Sequence, residues 1–234
     1  MQTMSWMRSC ALAAAATLAL AGPAMAGGTI AGKIKFDGTA PKRATLDMAA
    51  DPVCAAAHPS PAFADNVVVN DGALQYAFIY LKSVPGTHPA PGEPSVINQL
   101  GCQYVPHVAG VQIGQPMKFT NSDQTLHNVH GMPKINTPFN FAMPKFVKQK
   151  ETKFTAEELM VAVKCDVHPW MAGYIGVLTH PFFAVSGADG SFKIENVPAG
   201  EYDVVVWQEK LGTKEAKVKV DEGGSATADF SFAG

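Results

Sequence analysis

Glycine and proline cut this chain into pieces too short for long helices. Its 234 residues include 21 Gly and 17 Pro, and the runs between them favour strands bounded by turns. Residues 28–36 (GTIAGKIKF) alternate, with Ile30, Ile34 and Phe36 on one face and Lys33 and Lys35 on the other. Residues 66–70 (NVVVN), the pair Asp71-Gly72 and residues 75–81 (QYAFIYL) predict a hairpin. Further strands are expected over 117–120, 160–164 and 174–178, and near the end over 191–195, 202–207, 214–220 and 226–232.

Helix signals are few. Thr155 to Glu158 has capping-box spacing and predicts one turn. Residues 47–57 predict a short helix interrupted by Pro52. The expected class is all-β, a Greek-key sandwich with an additional small β-sandwich segment.

The first 26 residues read as a secretory signal. Arg8 precedes the apolar run Cys10–Ala21, and Ala24-Met25-Ala26 is a small-residue cleavage site. The run is too short for a membrane span, which needs about 20 apolar residues. The remainder is expected to be periplasmic, with no membrane insertion. A net charge of -2 and 16% charged residues offer no basic face for nucleic acid.

Three cysteines remain: Cys54, Cys102 and Cys165. An odd count in an oxidising compartment suggests one disulfide and one thiol held for another task. Cys54 and Cys102 are the expected pair. The alternative is that they serve a metal site with nearby His58 or His107.

The sharpest chemical signal is Cys165-Asp-Val-His168-Pro-Trp-Met171, directly after the strand MVAVK. The second piece is His127, in the segment running from Asn121 to His130. A thiolate, two imidazoles and a weak thioether suit a mononuclear blue-copper site. The thiolate is soft, imidazole suits both copper oxidation states, and the thioether disfavours a tetragonal Cu(II) geometry. His127 must come from a neighbouring strand. Zinc is the rival ion, although zinc sites rarely use Met. Met132 and Met143 compete with Met171 for the axial place. His130, His58, His88, His107 and His180 read as structural histidines. Lys145, Lys148, Lys150 and Lys153 read as a solvated loop, or as a docking face for an acidic partner.

With these residues in view, the segment 117–178 resembles the cupredoxin family, amicyanin type. The resemblance rests on the C-x2-H-x2-M loop, the Pro after His168, the aromatic before Met171 and the His-Asn-Val-His segment. It implies His127, Cys165, His168 and Met171 as ligands of one copper ion, and Asn128 as a residue hydrogen-bonding toward the Cys loop. It also implies His168 at the surface as the electron exit, with Pro169 and Trp170 beside it. The implied role is an electron carrier for a periplasmic redox partner protein, acting as a monomer and not as an enzyme. Copper storage, delivery or tolerance is the alternative. Residues 189–202 (DGSFKIENVPAGEY) resemble the carboxypeptidase regulatory-like, or transthyretin-like, β-sandwich. The expected organisation is a signal over 1–26, a copper domain over 27–181 and a β segment over 182–234 completed by strand 28–36.

Overall fold

The computed structural model describes residues 27–234. The signal segment and Cys10 lie outside the described residues. The chain runs β1 (Gly28–Asp37), α1 (Pro52–Ala57), β2 (Val68–Asn70), β3 (Ala73–Gln75), β4 (Phe78–Leu81), β5 (Ser95–Leu100) and β6 (Gln103–Val105). It continues through β7 (Val108–Gln112), β8 (Met117–Asn121), β9 (His127–Met132), β10 (Phe139–Met143), β11 (Gln149–Thr152), β12 (Glu158–Lys164) and β13 (Ala172–Leu178). The last strands are β14 (Phe183–Val185), β15 (Ser191–Val197), β16 (Gly200–Gln208), β17 (Gly212–Val220), β18 (Ser225–Thr227) and β19 (Phe230–Ala233). The molecule is all-β, and none of its described helices is long and apolar enough to cross a membrane.

Two layered units share the chain. In the first, the sheet β10-β9-β12-β13-β7 faces the sheet β11-β8-β5-β6. Ile97, Tyr104, Val111, Met117, Phe119, Val129, Phe154, Val163 and Ile175 fill the space between them, together with Cys165 and Met171. Both sheets are mixed, because β7 runs parallel to β13 and β5 parallel to β8. In the second, β14-β4-β16-β17 lies against a sheet organised around β1. Strand β1 pairs antiparallel with β15 and parallel with β18 and β19. Its alternation is the one expected: Ile30, Ile34 and Phe36 are buried with Phe192, Ile194, Val204 and Phe232.

Residues 67–81 also side with the tail. Val67, Leu74, Ile79 and Leu81 belong to the core built by β1 and residues 182–232. Residues 75–81 do not form the single strand expected. Asp71 and Gly72 turn the hairpin with positive φ at both positions, but β3 ends at Gln75. Tyr76 also takes positive φ (62°), and the chain swings away so that β4 pairs with β16 in the other sheet. The units meet at a seam of Phe78, Tyr80, Val108, Leu178 and Val205. Gly176 permits this contact, since a Cβ there would fall 2.4 Å from the Phe78 ring.

Two local expectations change. The helix begins at Pro52 rather than being broken by it: proline occupies the first turn and Asp51 is the N-cap. The capping box at Thr155 starts no helix. Glu158 opens β12, and its carboxylate instead accepts backbone N–H groups from Lys134, Ile135 (3.1 Å) and Asn136 (2.9 Å).

Candidate metal centre

Strand pairing brings the two sequence pieces together. β12 pairs with β9, Lys164 opposite His130, and with β13, Lys164 opposite Ala172. The residues from Cys165 to Met171 are therefore the loop of a β12–β13 hairpin, beside the start of β9 where His127 sits. The loop is closed by Cys165 N–H donating to Met171 O (3.2 Å) and Met171 N–H donating to His168 O (2.9 Å). His127, Cys165 and His168 are all buried, and their ligand atoms converge. Cys165 Sγ lies 3.8 Å from His168 Nδ1, and the two Nδ1 atoms of His127 and His168 lie 2.9 Å apart.

Asn128 stands where the resemblance implied. Its backbone N–H points at Cys165 Sγ (3.4 Å), as does that of His168 (3.4 Å). Its side-chain oxygen accepts the N–H of Asp166, and its amide nitrogen donates to Asn140 Oδ1 (2.6 Å) and Asp166 Oδ2 (3.2 Å). The Cys loop is thereby tied to β9 and β10.

The three methionines separate. Met171 is buried in the core that holds Cys165. The Met143 sulfur accepts a hydrogen bond from Gln99 Nε2 (3.1 Å). Met132 is partly exposed at the far end of β9.

The expectation that His168 lies at the surface is overturned: it is 2% exposed. The stretch before β2 covers it. Its Nε2 donates to Asp51 Oδ2 (3.1 Å) and lies 3.7 Å from Cys54 Sγ. Cys54 and Cys102 form a disulfide, leaving Cys165 as the free thiol among the described residues. Trp170 lies over the same ring, centroids 4.9 Å apart, and its Nε1–H donates to Cys102 O (3.0 Å). Phe139 and Phe141 stack on each other, Phe141 meets Phe119 edge-on, and both pack against the core.

Sequence reasoning missed two carboxylates. Asp123 Oδ2 accepts from His127 Nε2 (2.9 Å) and from Cys102 N–H (2.8 Å), while its Oδ1 accepts from Gly101 N–H (2.8 Å). It stands four residues before His127, inside the motif already singled out, and only its identity could have flagged it. Asp51 lies far away in sequence, with an N-cap signal and nothing that pointed to His168.

These carboxylates decide the chemistry. Each requires a hydrogen on the Nε2 it faces, so a neutral ring keeps its Nδ1 lone pair bare. Two bare lone pairs would then face each other at 2.9 Å in a buried site, and only a positive charge between them relieves the repulsion. Either a proton or a metal ion can supply that charge. Burial works against a charged His127, but Asp123 and the Cys165 sulfur outweigh it and hold its pKa up at about 9. Burial and the neighbouring His127 charge push His168 down, against the pull of Asp51. Burial raises the Cys165 thiol, yet the hydrogen bonds from His127 and from the Asn128 and His168 N–H groups bring it below its ordinary value. A soft or borderline cation fits this set of one thiol and two imidazoles.

The other histidines are structural. His130 Nδ1 pairs with Asp166 (2.9 Å) and His58 with Gly101 O (2.6 Å). His180 contacts Leu81 O (3.0 Å), and His88 Nε2 meets Pro85 O (3.2 Å). His107 joins the units, contacting Glu209 (2.6 Å) and Ala172 O (3.0 Å). Lys145, Lys148, Lys150 and Lys153 are exposed.

Comparison with known proteins covers only parts of the chain. Residues 182–228 match the family model described as polysaccharide lyase family 4, domain II, where the sequence had suggested a carboxypeptidase regulatory-like segment. No curated protein is a significant match. Among solved structures, the chain is similar to a copper-containing nitrite reductase from Thermus scotoductus SA-01 (22% identity, TM-score 0.32), with 41% of this chain covering 24% of that one. It is also similar to a Cu(I) amicyanin variant (22%, TM-score 0.32), over 42% of this chain and 97% of that one. A purple cupredoxin from Nitrosopumilus maritimus (21%, TM-score 0.30) aligns with 36% of this chain and 97% of its own. The chain spans about a quarter of the nitrite reductase's length.

Proposed function

We propose that this chain is a periplasmic, cupredoxin-like protein that holds one mononuclear copper ion and serves as a one-electron carrier for a protein partner. The observation that carries the reading is the convergence of Cys165 Sγ with the two Nδ1 atoms of His127 and His168, their bare faces set by Asp123 and Asp51. Met171 is the fourth residue on this reading, buried in the same core. Copper bound there would supply one-electron chemistry through its Cu(II) and Cu(I) states.

The protein's part is to keep the donors still. Asn128 ties the Cys loop to its neighbouring strands, the hairpin hydrogen bonds close it, and burial excludes water. Fixed donors need little rearrangement when the charge changes, which suits electron transfer. The cover on His168 favours a rival reading, copper storage, because a closed site also keeps its ion.

The test is to add Cu(II) to the purified protein and record visible and EPR spectra. An intense thiolate charge-transfer band is expected, absent in Cys165→Ser. A colourless tetragonal complex in the wild type overturns the reading. A thiolate-bound copper that is retained against a chelator but shows slow electron self-exchange assigns the protein to copper storage instead.

A further inference from the structure

We infer that Asp51 is a positioning residue for His168: it locks the ring with Nδ1 bare toward Cys165, and the disulfide-tied turn that carries it seals the ring's outer edge. The inference rests on the copper reading for its purpose, but its geometry stands in the metal-free chain.

Asp51 is held from several sides. One carboxylate oxygen accepts from Val53 N–H (2.8 Å) and Cys54 N–H (3.4 Å), capping α1. The other accepts from Thr125 Oγ1 (2.7 Å) and His168 Nε2 (3.1 Å). Cys54, three residues on, is bonded to Cys102, and the Cys102 N–H donates to Asp123. One covalent bridge therefore anchors the carboxylates behind both histidines. Each ring is gripped at Nε2, so neither can rotate to present the other nitrogen without breaking a charge-assisted bond, buried at His127 and part-buried at His168. Carboxylates hydrogen-bonded to ligand histidines fix the tautomer, raise ligand basicity and typically change metal affinity by about 10–100-fold. A negative charge beside His168 stabilises the more positive oxidation state of a bound ion.

Electrons entering through His168 would have to cross Asp51, Cys54 or Trp170, so direct contact between a partner and this ring is excluded by the fold.

Two variants separate positioning from folding. Asn caps helices as well as Asp, so Asp51→Asn keeps α1 through its amide oxygen, removes the charge, and puts an NH2 donor where Oδ2 accepts from Thr125 and His168. It is expected to weaken Cu(II) binding about 10-fold, raise the reduction potential and leave the unfolding temperature of the metal-free protein near wild type. Asp51→Ala removes the acceptor entirely. In the metal-free protein, long-range nitrogen–proton NMR of the ring should show His168 with hydrogen on Nε2 alone in the wild type, and a mixture of tautomers in Asp51→Ala. A single unchanged tautomer in Asp51→Ala overturns the inference, as does an Asp51→Asn protein with wild-type potential and affinity. A wild type that takes up no copper defeats the proposed function instead, and the tautomer measurement still decides Asp51.

Discussion

His127 and His168 face each other through their Nδ1 atoms at 2.9 Å, because Asp123 and Asp51 hold the opposite nitrogens. Two facing imidazole nitrogens at this distance favour a cation between them, a proton or a metal ion.

On the proposed reading, copper binding is expected to displace a proton. His127 keeps its proton up to about 9, and a ligand imidazole must be neutral. The apparent Cu(II) affinity should rise with pH from 6 to 9, the His127 contribution levelling off above that. Calorimetry in buffers of different ionisation enthalpy should report protons released on binding at pH 7. Asp123→Asn, which loses the charge that raises His127, should flatten the pH dependence and weaken binding about 10-fold or more. Binding that is independent of pH would remove His127 from the ligand set.

Met171 is the methionine whose sulfur has no competing partner described and whose backbone closes the ligand loop. A thioether favours Cu(I) relative to harder ligands. Met171→Gln should keep copper bound and lower the reduction potential in a mediated redox titration. An unchanged potential would redirect the axial role to Met143, whose sulfur is engaged by Gln99.

Glu158 gathers three backbone N–H groups and the Asn136 side chain. Burial opposes its charge, but these donors prevail and its pKa lies below the ordinary 4.5. A depressed carboxyl contributes stability above its unfolded value and loses it as pH falls through the folded value. Glu158→Gln should cost about 1 kcal/mol at pH 7, and the gap from wild type should narrow as pH falls below the ordinary 4.5. Denaturant unfolding of the metal-free proteins at pH 7 and below that value measures it; an equal gap at both would assign the loss to packing.

The Cys54–Cys102 bridge spans 48 residues of sequence. In the unfolded, metal-free protein, one thiol should react with a thiol reagent, and peptide mapping should assign it to Cys165. Replacing both bridge cysteines with Ser should lower stability by roughly 2–4 kcal/mol and loosen the turn carrying Asp51. Amide exchange at Val53 and Cys54 that is unchanged in this variant would show that the bridge does not hold the cap.

The sequence by itself determined what depends on near neighbours. Period-two alternation placed β1, because that strand must bury one face, and short β-type runs between turn residues placed β8, β12, β13 and β15 to β17. Cys165, His168 and Met171 were legible together, since one seven-residue loop contains them. Other features came only from tertiary structure. The positive φ at Tyr76 sends β4 to another sheet, and no alternation pattern records that switch. The cover over His168 joins residues more than one hundred positions apart through Asp51 and Cys54. Asp51 carried only the local signature of a helix cap, and the fold used its second oxygen elsewhere. Asp123 sat within the legible motif, yet its meaning depended on which ring nitrogen it would meet. A loop's own residues set which donors converge; what stands behind those donors is set by distant chain folding over them, where spacing in sequence no longer limits which atoms touch.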